Sequence, residues 1–292
     1  MPKGVYKRKT RAQRATRSVT PAVVVPTETV AEIDTRIRST FDVLEQVSQG
    51  VISGHVRSVI VSGAAGCGKT YTLETALADA EDRGVIRYQS VRGACSAIGL
   101  YRLLFESSEP GNVLVIDDCD SVFADLDSLN LLKSALDSSK VRRIHWNKES
   151  RVLDGEGVPR SFEFKGSVVF ITNIDFSNEI AAERKMSPHY QALLSRCLYL
   201  DLGIHTKQEI LVRIGQVVLG EQFLADNELS HPQAEHMMGW LHTNINRVRT
   251  LSIRTVLQLA SLVKIRRDWE PDRKSTRLNS SHRCISYAVF CL

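Results

Sequence analysis

Apolar residues at three- and four-residue spacing (Ile33, Ile37, Phe41, Leu44 and Val47) predict an amphipathic helix from about residue 33. Gly50 and Gly54 end that pattern. The next run, "VRSVIVSG" (56–63), is short, rich in β-branched residues and closed by glycine, as a buried strand is. The same alternation continues along the chain. "TYTLETALADAEDRG" (70–84) reads as a helix stopped by Gly84, and "VIRYQSV" (85–91) as a second strand. "AIGLYRLLFESS" (97–108) reads as a helix and "NVLVIDD" (112–118) as a third strand. A helix over 128–139 takes Asp127 as its expected N-cap. "GSVVFITN" (166–173) is a fourth strand, 189–196 a helix, and "CLYLDL" (197–202) a fifth strand. Strands that alternate with helices imply an α/β protein with a five-stranded parallel sheet sandwiched by helices.

Two segments depart from this rhythm. In 141–166, Ile144 and Trp146, then Phe162 and Phe164, alternate with polar residues around the turn-forming Asp154-Gly155-Glu156-Gly157. That pattern predicts an inserted β-ribbon. After Gly203 the strand signal stops, and three helical stretches suggest a small all-α lid over 204–271.

Charge divides the chain further. The net charge is +5, but residues 1–17 hold seven basic residues and no acid, and 272–292 carry +3, which leaves −5 for 18–271. The first 28 residues combine basic and small polar residues with two prolines in "SVTPAVVVPTET", a composition that predicts a disordered basic arm able to neutralise phosphates. The last 21 residues, "DRKSTRLNSSHRCISYAVFCL", read as the in-frame translation of a sequencing-library adapter, so the native sequence is expected to diverge near Pro271. The core is then expected over 29–203. No apolar run approaches the roughly 20 residues of a membrane span. None of the six cysteines sits in a CxxC pattern. The expectation is a cytoplasmic protein without membrane attachment.

"GAAGCGKT" (63–70) fits G-x-x-x-x-G-K-[ST], with a predicted strand before it and a helix after it. Gly63, Gly66 and Gly68 allow backbone N–H groups to turn inward around phosphate oxygens, and Ala64, Ala65, Cys67 and Tyr71 complete the stretch expected around the nucleotide. Lys69 is placed to neutralise β- and γ-phosphates, and Thr70 to ligate Mg²⁺. Asp117, at the end of a buried strand 48 residues beyond Lys69, is the second expected Mg²⁺ residue. A carboxylate buried there without a partner would cost several kcal/mol (roughly 2–7), so a metal is its natural companion. Asp118 is next in line to activate a water, with a reach about 1.5 Å shorter than glutamate's.

With these motifs the chain resembles the AAA+ ATPases over about 33–270. The resemblance implies ATP and Mg²⁺ as ligands. "VFITNID" (169–175) resembles sensor 1, which implies that Asn173 orients the water or touches the γ-phosphate. "ALLSRCLYLDL" (192–202) resembles the Ser-Arg-Cys segment of clamp-loader subunits, which implies that Arg196 enters a neighbouring subunit's site and that the chain forms homo-oligomers. "NRVRTLSIRT" (246–255) falls where sensor 2 arginines lie, with Arg249 the first choice and Arg247 and Arg254 as rivals. Bacterial replication initiators of this superfamily resemble the chain in having Asp-Asp where other members have Asp-Glu, so Asp118 is compatible with turnover. Low basal activity that rises on assembly is the expectation.

Three functional readings follow. One is a DNA-transaction motor or loader of phage type, for which the basic arm and the ribbon's Arg142, Arg143, Lys148, Arg151, Arg160 and Lys165 speak. The second is a protein remodeller, which "VRGACSAIGLY" (91–101) fits poorly, because an aromatic-apolar-glycine pore loop is missing there. The third is a nucleotide-gated adaptor with little turnover, which Asp118 favours.

Overall fold

The computed structural model describes residues 28–265; all but the last residue of the basic arm expected over 1–28, and the adapter-like tail, lie outside the described residues. The chain opens with α1 (Val30–Ile52), three residues earlier than the apolar spacing suggests, because Thr29 and Glu32 form a capping box. Then follow β1 (Ser58–Ser62), α2 (Lys69–Asp82), β2 (Arg87–Arg92), α3 (Ala97–Glu106) and β3 (Asn112–Asp117). A single-turn α4 (Ser121–Ala124) leads into α5 (Leu126–Ala135). The expected cap of this helix is corrected: Asp125, not Asp127, accepts from Ser128 N at 2.9 Å, because the helix starts two residues earlier and Asp127 falls inside its first turn.

The inserted segment holds β4 (Arg143–His145), α6 (Arg151–Gly155) and β5 (Ser161–Glu163). The core then closes with β6 (Ser167–Thr172), α7 (Phe176–Ala181), α8 (Ser187–Leu194) and β7 (Leu198–Asp201). Four helices follow where three were expected: α9 (Lys207–Val218), α10 (Glu221–Asp226), α11 (His231–Thr243) and α12 (Ile253–Ile265). The extra one, α10, is the tail of the first predicted stretch, broken off where Gly220 becomes its N-cap.

All five long-range strands pair in parallel, in the order β2-β3-β6-β1-β7. Their apolar runs are continuous because both faces are covered. Val59, Val61, Val113, Val115, Val169 and Ile171 pack with α1 and α2 on one side. The alternate residues Ile60, Leu114, Ile116, Val168 and Phe170 pack with α3, α5 and α8 on the other. The four C-terminal helices enclose a separate apolar core that includes Ile214, Leu241 and Val256.

The ribbon differs from expectation in two ways. Only three residue pairs match across β4 and β5, and the turn-rich Asp154–Gly155 belongs to α6. Ser150 makes this possible by capping Leu153 N, so a short helix replaces the tight hairpin turn. The ribbon is also no free arm. Trp146 and Phe162 pack tilted and edge-on against Tyr101 of α3, with ring centroids 5.6 and 5.2 Å away. Arg142 is 1% exposed and donates to the carbonyls of Ala135 (2.9 Å) and Gly166 (2.5 Å).

Candidate functional site

A cleft of about 650 Å³ lies between the C-terminal ends of the parallel strands and the helical group, the usual place for ligands in open α/β sheets and of ordinary ligand-site size. Its floor is the turn from β1 to α2. Gly66 (φ 72°) and Gly68 (φ 97°) adopt left-handed conformations that side chains resist, and Gly68 is the N-cap of α2. Gly63 is extended and packs on Leu202. Ala65 and Tyr71 line the cleft, and Tyr71 is 65% exposed. Cys67 is buried, and that burial pushes its thiol up, as expected of a packing residue.

Lys69 starts α2 and is only 5% exposed. Its ammonium donates to the carbonyls of Gly63 (2.6 Å) and Ala64 (3.0 Å) and to Asn173 Oδ1 (2.8 Å). Burial pushes its pKa down, and the nearby Asp118 and Asp117 carboxylates push it back. The other half of the Asn173 amide donates from Nδ2 to Asp118 Oδ1 at 2.8 Å. Only one amide orientation serves both partners, since an ammonium only donates and a carboxylate only accepts. Asn173 thus ties Lys69 to Asp118.

Asp118 turns off the end of β3 in a left-handed conformation (φ 51°), with its N–H bonded to the Ile171 carbonyl. Aspartate tolerates this region better than most residues. The turn separates its exposed carboxylate from that of the buried Asp117. The third acid of "IDDCD", Asp120, accepts from the Thr172 hydroxyl at 2.6 Å and anchors the end of β6.

Thr70 Oγ1 donates to Asp117 Oδ2 at 3.1 Å. Burial raises the Asp117 pKa; the Thr70 hydroxyl and the Arg92 guanidinium oppose that rise. The pair forms a hard-oxygen set of one hydroxyl and one carboxylate, the kind that holds Mg²⁺ together with waters and phosphate oxygens. Among the described residues no group of three or more His, Cys, Asp or Glu could hold a metal without such help.

Arg92 and Glu74 of the cleft escaped the sequence reading. Arg92, the last residue of β2, pairs in register with Asp117 and approaches it at 3.2 Å through Nε. Its other arm reaches Glu74 of α2. Glu74 was in principle legible, four residues after Thr70 on one helix face; Arg92 depends on strand register and left no local signal.

The remaining expected residues sit apart. Arg196 is half-buried in the turn just after α8, donates to the Ala192 carbonyl and does not line the cleft. Arg249 and Arg247 are exposed in the connection before α12, also away from the cleft lining, whereas Arg254 in the first turn of α12 lines it. The helical group presses on the glycine loop: Ile253 N donates to the Gly66 carbonyl at 2.9 Å, and a Cβ on Gly66 would lie 2.6 Å from Ser252 Cβ. Among the described residues no helix is long and apolar enough to cross a membrane. Of the ribbon's six basic residues, Arg142 is buried, Lys148 pairs with Asp127, Arg160 with Asp154 and Lys165 with Glu163.

The chain is 45% identical over 244 residues to the 36.7 kDa protein of the nrdC–mobD intergenic region of Enterobacteria phage T4, covering 83% of this chain and 75% of that one. No protein-family model matches it. Among solved structures it is similar to NtrX from Brucella abortus in complex with ADP, at 12% identity and a TM-score of 0.50, over 82% of this chain and 51% of that one. It is also similar to a DNA replication initiation factor, at 13% identity and a TM-score of 0.41, over 78% of this chain and 60% of that one. The chain thus spans between half and two thirds of the length of these two solved chains.

Proposed function

Because the chain belongs to the same family as the phage T4 protein and has the AAA+ P-loop fold, we propose that it binds ATP with Mg²⁺ in the cleft and hydrolyses it as part of a homo-oligomer. The observation that carries this reading is the convergence of two bonded sets at one wall of the cleft. Thr70 meets Asp117, and Lys69 is joined through Asn173 to Asp118.

That geometry supports the following division of roles. N–H groups of the glycine loop and the positive end of α2 gather the phosphates. Lys69 exchanges backbone carbonyl acceptors for phosphate oxygens. Thr70 and Asp117 would hold Mg²⁺, which would draw off charge from the phosphates. Asp118 accepts the proton of the attacking water as its oxygen bonds to the γ-phosphorus, and the bond to the β,γ-bridging oxygen breaks, leaving ADP and phosphate. Asn173 holds the Asp118 carboxylate in place. Arg254, rather than Arg249 or Arg247, is the arginine near α12 for the γ-phosphate, because of those three it alone lines the cleft. Arg196 acts on a neighbouring subunit's nucleotide after releasing the Ala192 carbonyl, and such fingers contribute roughly 10³-fold or more.

DNA is the proposed partner, through the seven basic residues within 1–17 of the arm. The ribbon supports this less than its composition suggests, because four of its six basic residues are buried or paired. A second reading, nucleotide-gated assembly with little turnover, is favoured by the short reach of Asp118.

The test is hydrolysis by the full chain, with and without DNA, for wild type, Lys69→Ala, Asp118→Asn and Arg196→Ala. The proposal expects all three variants to lose turnover and a mixture of Asp118→Asn with Arg196→Ala to regain part of it. Turnover no higher in wild type than in Lys69→Ala, with ATP still bound, would replace the motor with the assembler.

A further inference from the structure

One arginine of the cleft has no part in the scheme above. Arg213 stands within α9, with its guanidinium carbon 3.3 Å from the centre of the Phe41 ring of α1. Nε donates to the Cys67 carbonyl of the glycine loop at 3.2 Å, and Nη1 donates to Gln216 Oε1 at 3.1 Å. Gln216 is itself fixed, since its Nε2 donates to the carbonyl and the carboxylate of Asp34, each at 3.0 Å. The guanidinium is therefore locked by an aromatic face, the glycine loop and a tethered amide.

What this arrangement lacks is an anion. Among the described residues no carboxylate pairs with Arg213, and burial pushes its pKa down to about 10. A desolvated cation without a counter-charge is costly, and such a cost persists where a ligand's charge relieves it. One nitrogen remains without a partner to do so. Nη2 has no protein acceptor among the described residues, and it lies beside Gly68, where a Cβ would be 3.6 Å from it. Gly68 and Arg213 both line the cleft, and Gly68 is the N-cap of α2. That end of the loop is where α- and β-phosphates collect in this motif.

Resting on the nucleotide reading above, we infer that Arg213 is a nucleotide-positioning residue whose Nη2 donates to a phosphate oxygen shared by ADP and ATP. One side chain then joins α1, the glycine loop, α9 and the nucleotide. The docked position of the helical group on the loop becomes dependent on nucleotide, whether or not the third phosphate is present. Arg254 is different in kind, because its proposed partner exists only in ATP.

The experiment measures binding of fluorescent ADP and ATP analogues to the full chain, together with the rise in Tm at saturating nucleotide. Arg213→Met keeps an apolar stem over Phe41 and removes every donor; Arg213→Lys keeps the charge without the planar fork. The expected result is a loss of about tenfold or more in affinity for Arg213→Met, equal for ADP and ATP, with a smaller nucleotide-induced rise in Tm and partial recovery in Arg213→Lys. Unchanged or tighter binding by Arg213→Met overturns the inference and leaves Arg213 as a strut between α1 and α9. If Arg213→Met fails to fold, Arg213→Lys decides, and wild-type constants for both nucleotides overturn the inference. Failure of the wild type to bind either nucleotide overturns the nucleotide reading and this inference together.

Discussion

Replacing Asn173 with alanine removes both halves of the amide that joins Lys69 to Asp118. The two halves have different consequences. Lys69 is 5% exposed and loses one of its three acceptors, with little water to replace it. A hydrogen bond to a charged buried group is worth about 1.5–3 kcal/mol, and the two remaining carbonyls soften the loss to about 1–2 kcal/mol. For a chain of this size that lowers Tm by about 2–8 °C. Asp118 is exposed, so water replaces its lost donor and its contribution to stability is close to zero.

Chemistry reverses the order of importance. Without Nδ2 the Asp118 carboxylate is free to rotate, and a misplacement of about 1 Å costs on the order of 10²-fold in rate. Single-turnover ATP hydrolysis and thermal unfolding are measured for wild type, Asn173→Ala, Asp118→Ala and the double variant. If the two residues act as one unit, the double variant hydrolyses no more slowly than Asp118→Ala. Wild-type turnover in Asn173→Ala would refute the bridge. So would rate losses that multiply in the double variant.

Arg92→Gln removes a cation 3.2 Å from the Asp117 carboxylate, so apparent Mg²⁺ affinity, titrated by hydrolysis or by a bound fluorescent nucleotide, is expected to rise by about three- to tenfold. Gly166→Ala would place a Cβ 2.2 Å from the Ser107 carbonyl oxygen and 3.0 Å from that of Asn112, and thermal unfolding is expected to show a loss of about 2–4 kcal/mol as β6 shifts away from β3. Glu209 gives an acid-stability signature. Burial alone would raise its pKa, but the N–H groups of His205 and Thr206, Arg36 and the Thr206 hydroxyl pull it down to about 2 from the ordinary 4.5. A depressed carboxylate stabilises the fold above its unfolded pKa, so about 1–2 kcal/mol, after solvent screening, is expected to disappear as pH falls from about 4.5 toward 2. Glu209→Gln should flatten that limb in a urea series against pH.

The parallel core was legible because its signal is local and repeated. Both sides of the sheet are covered, so β1, β3 and β6 are unbroken apolar runs, and their alternate residues divide between two packing layers. The glycine loop was equally legible, since its required φ values restrict the residues that can stand there. The misses have local causes as well. Helix α10 has six residues, too few for a helical period to establish itself, and α6 hides under turn-forming residues that a serine cap turns into a helix.

The chain alone thus determined which segments become strands and helices, where the glycine-rich turn lies, and which acids end β3. Only the tertiary structure decided how those acids differ. Asp117 faces Thr70 and Arg92, Asp118 turns through a left-handed residue to Asn173, and Asp120 secures Thr172. It also chose Arg254 over Arg249 for the cleft and brought Arg213 onto a loop 146 residues away. The physical reason is range: periodicity and turn chemistry act over a few residues, whereas strand register and helix docking bring together side chains that no spacing along the chain relates.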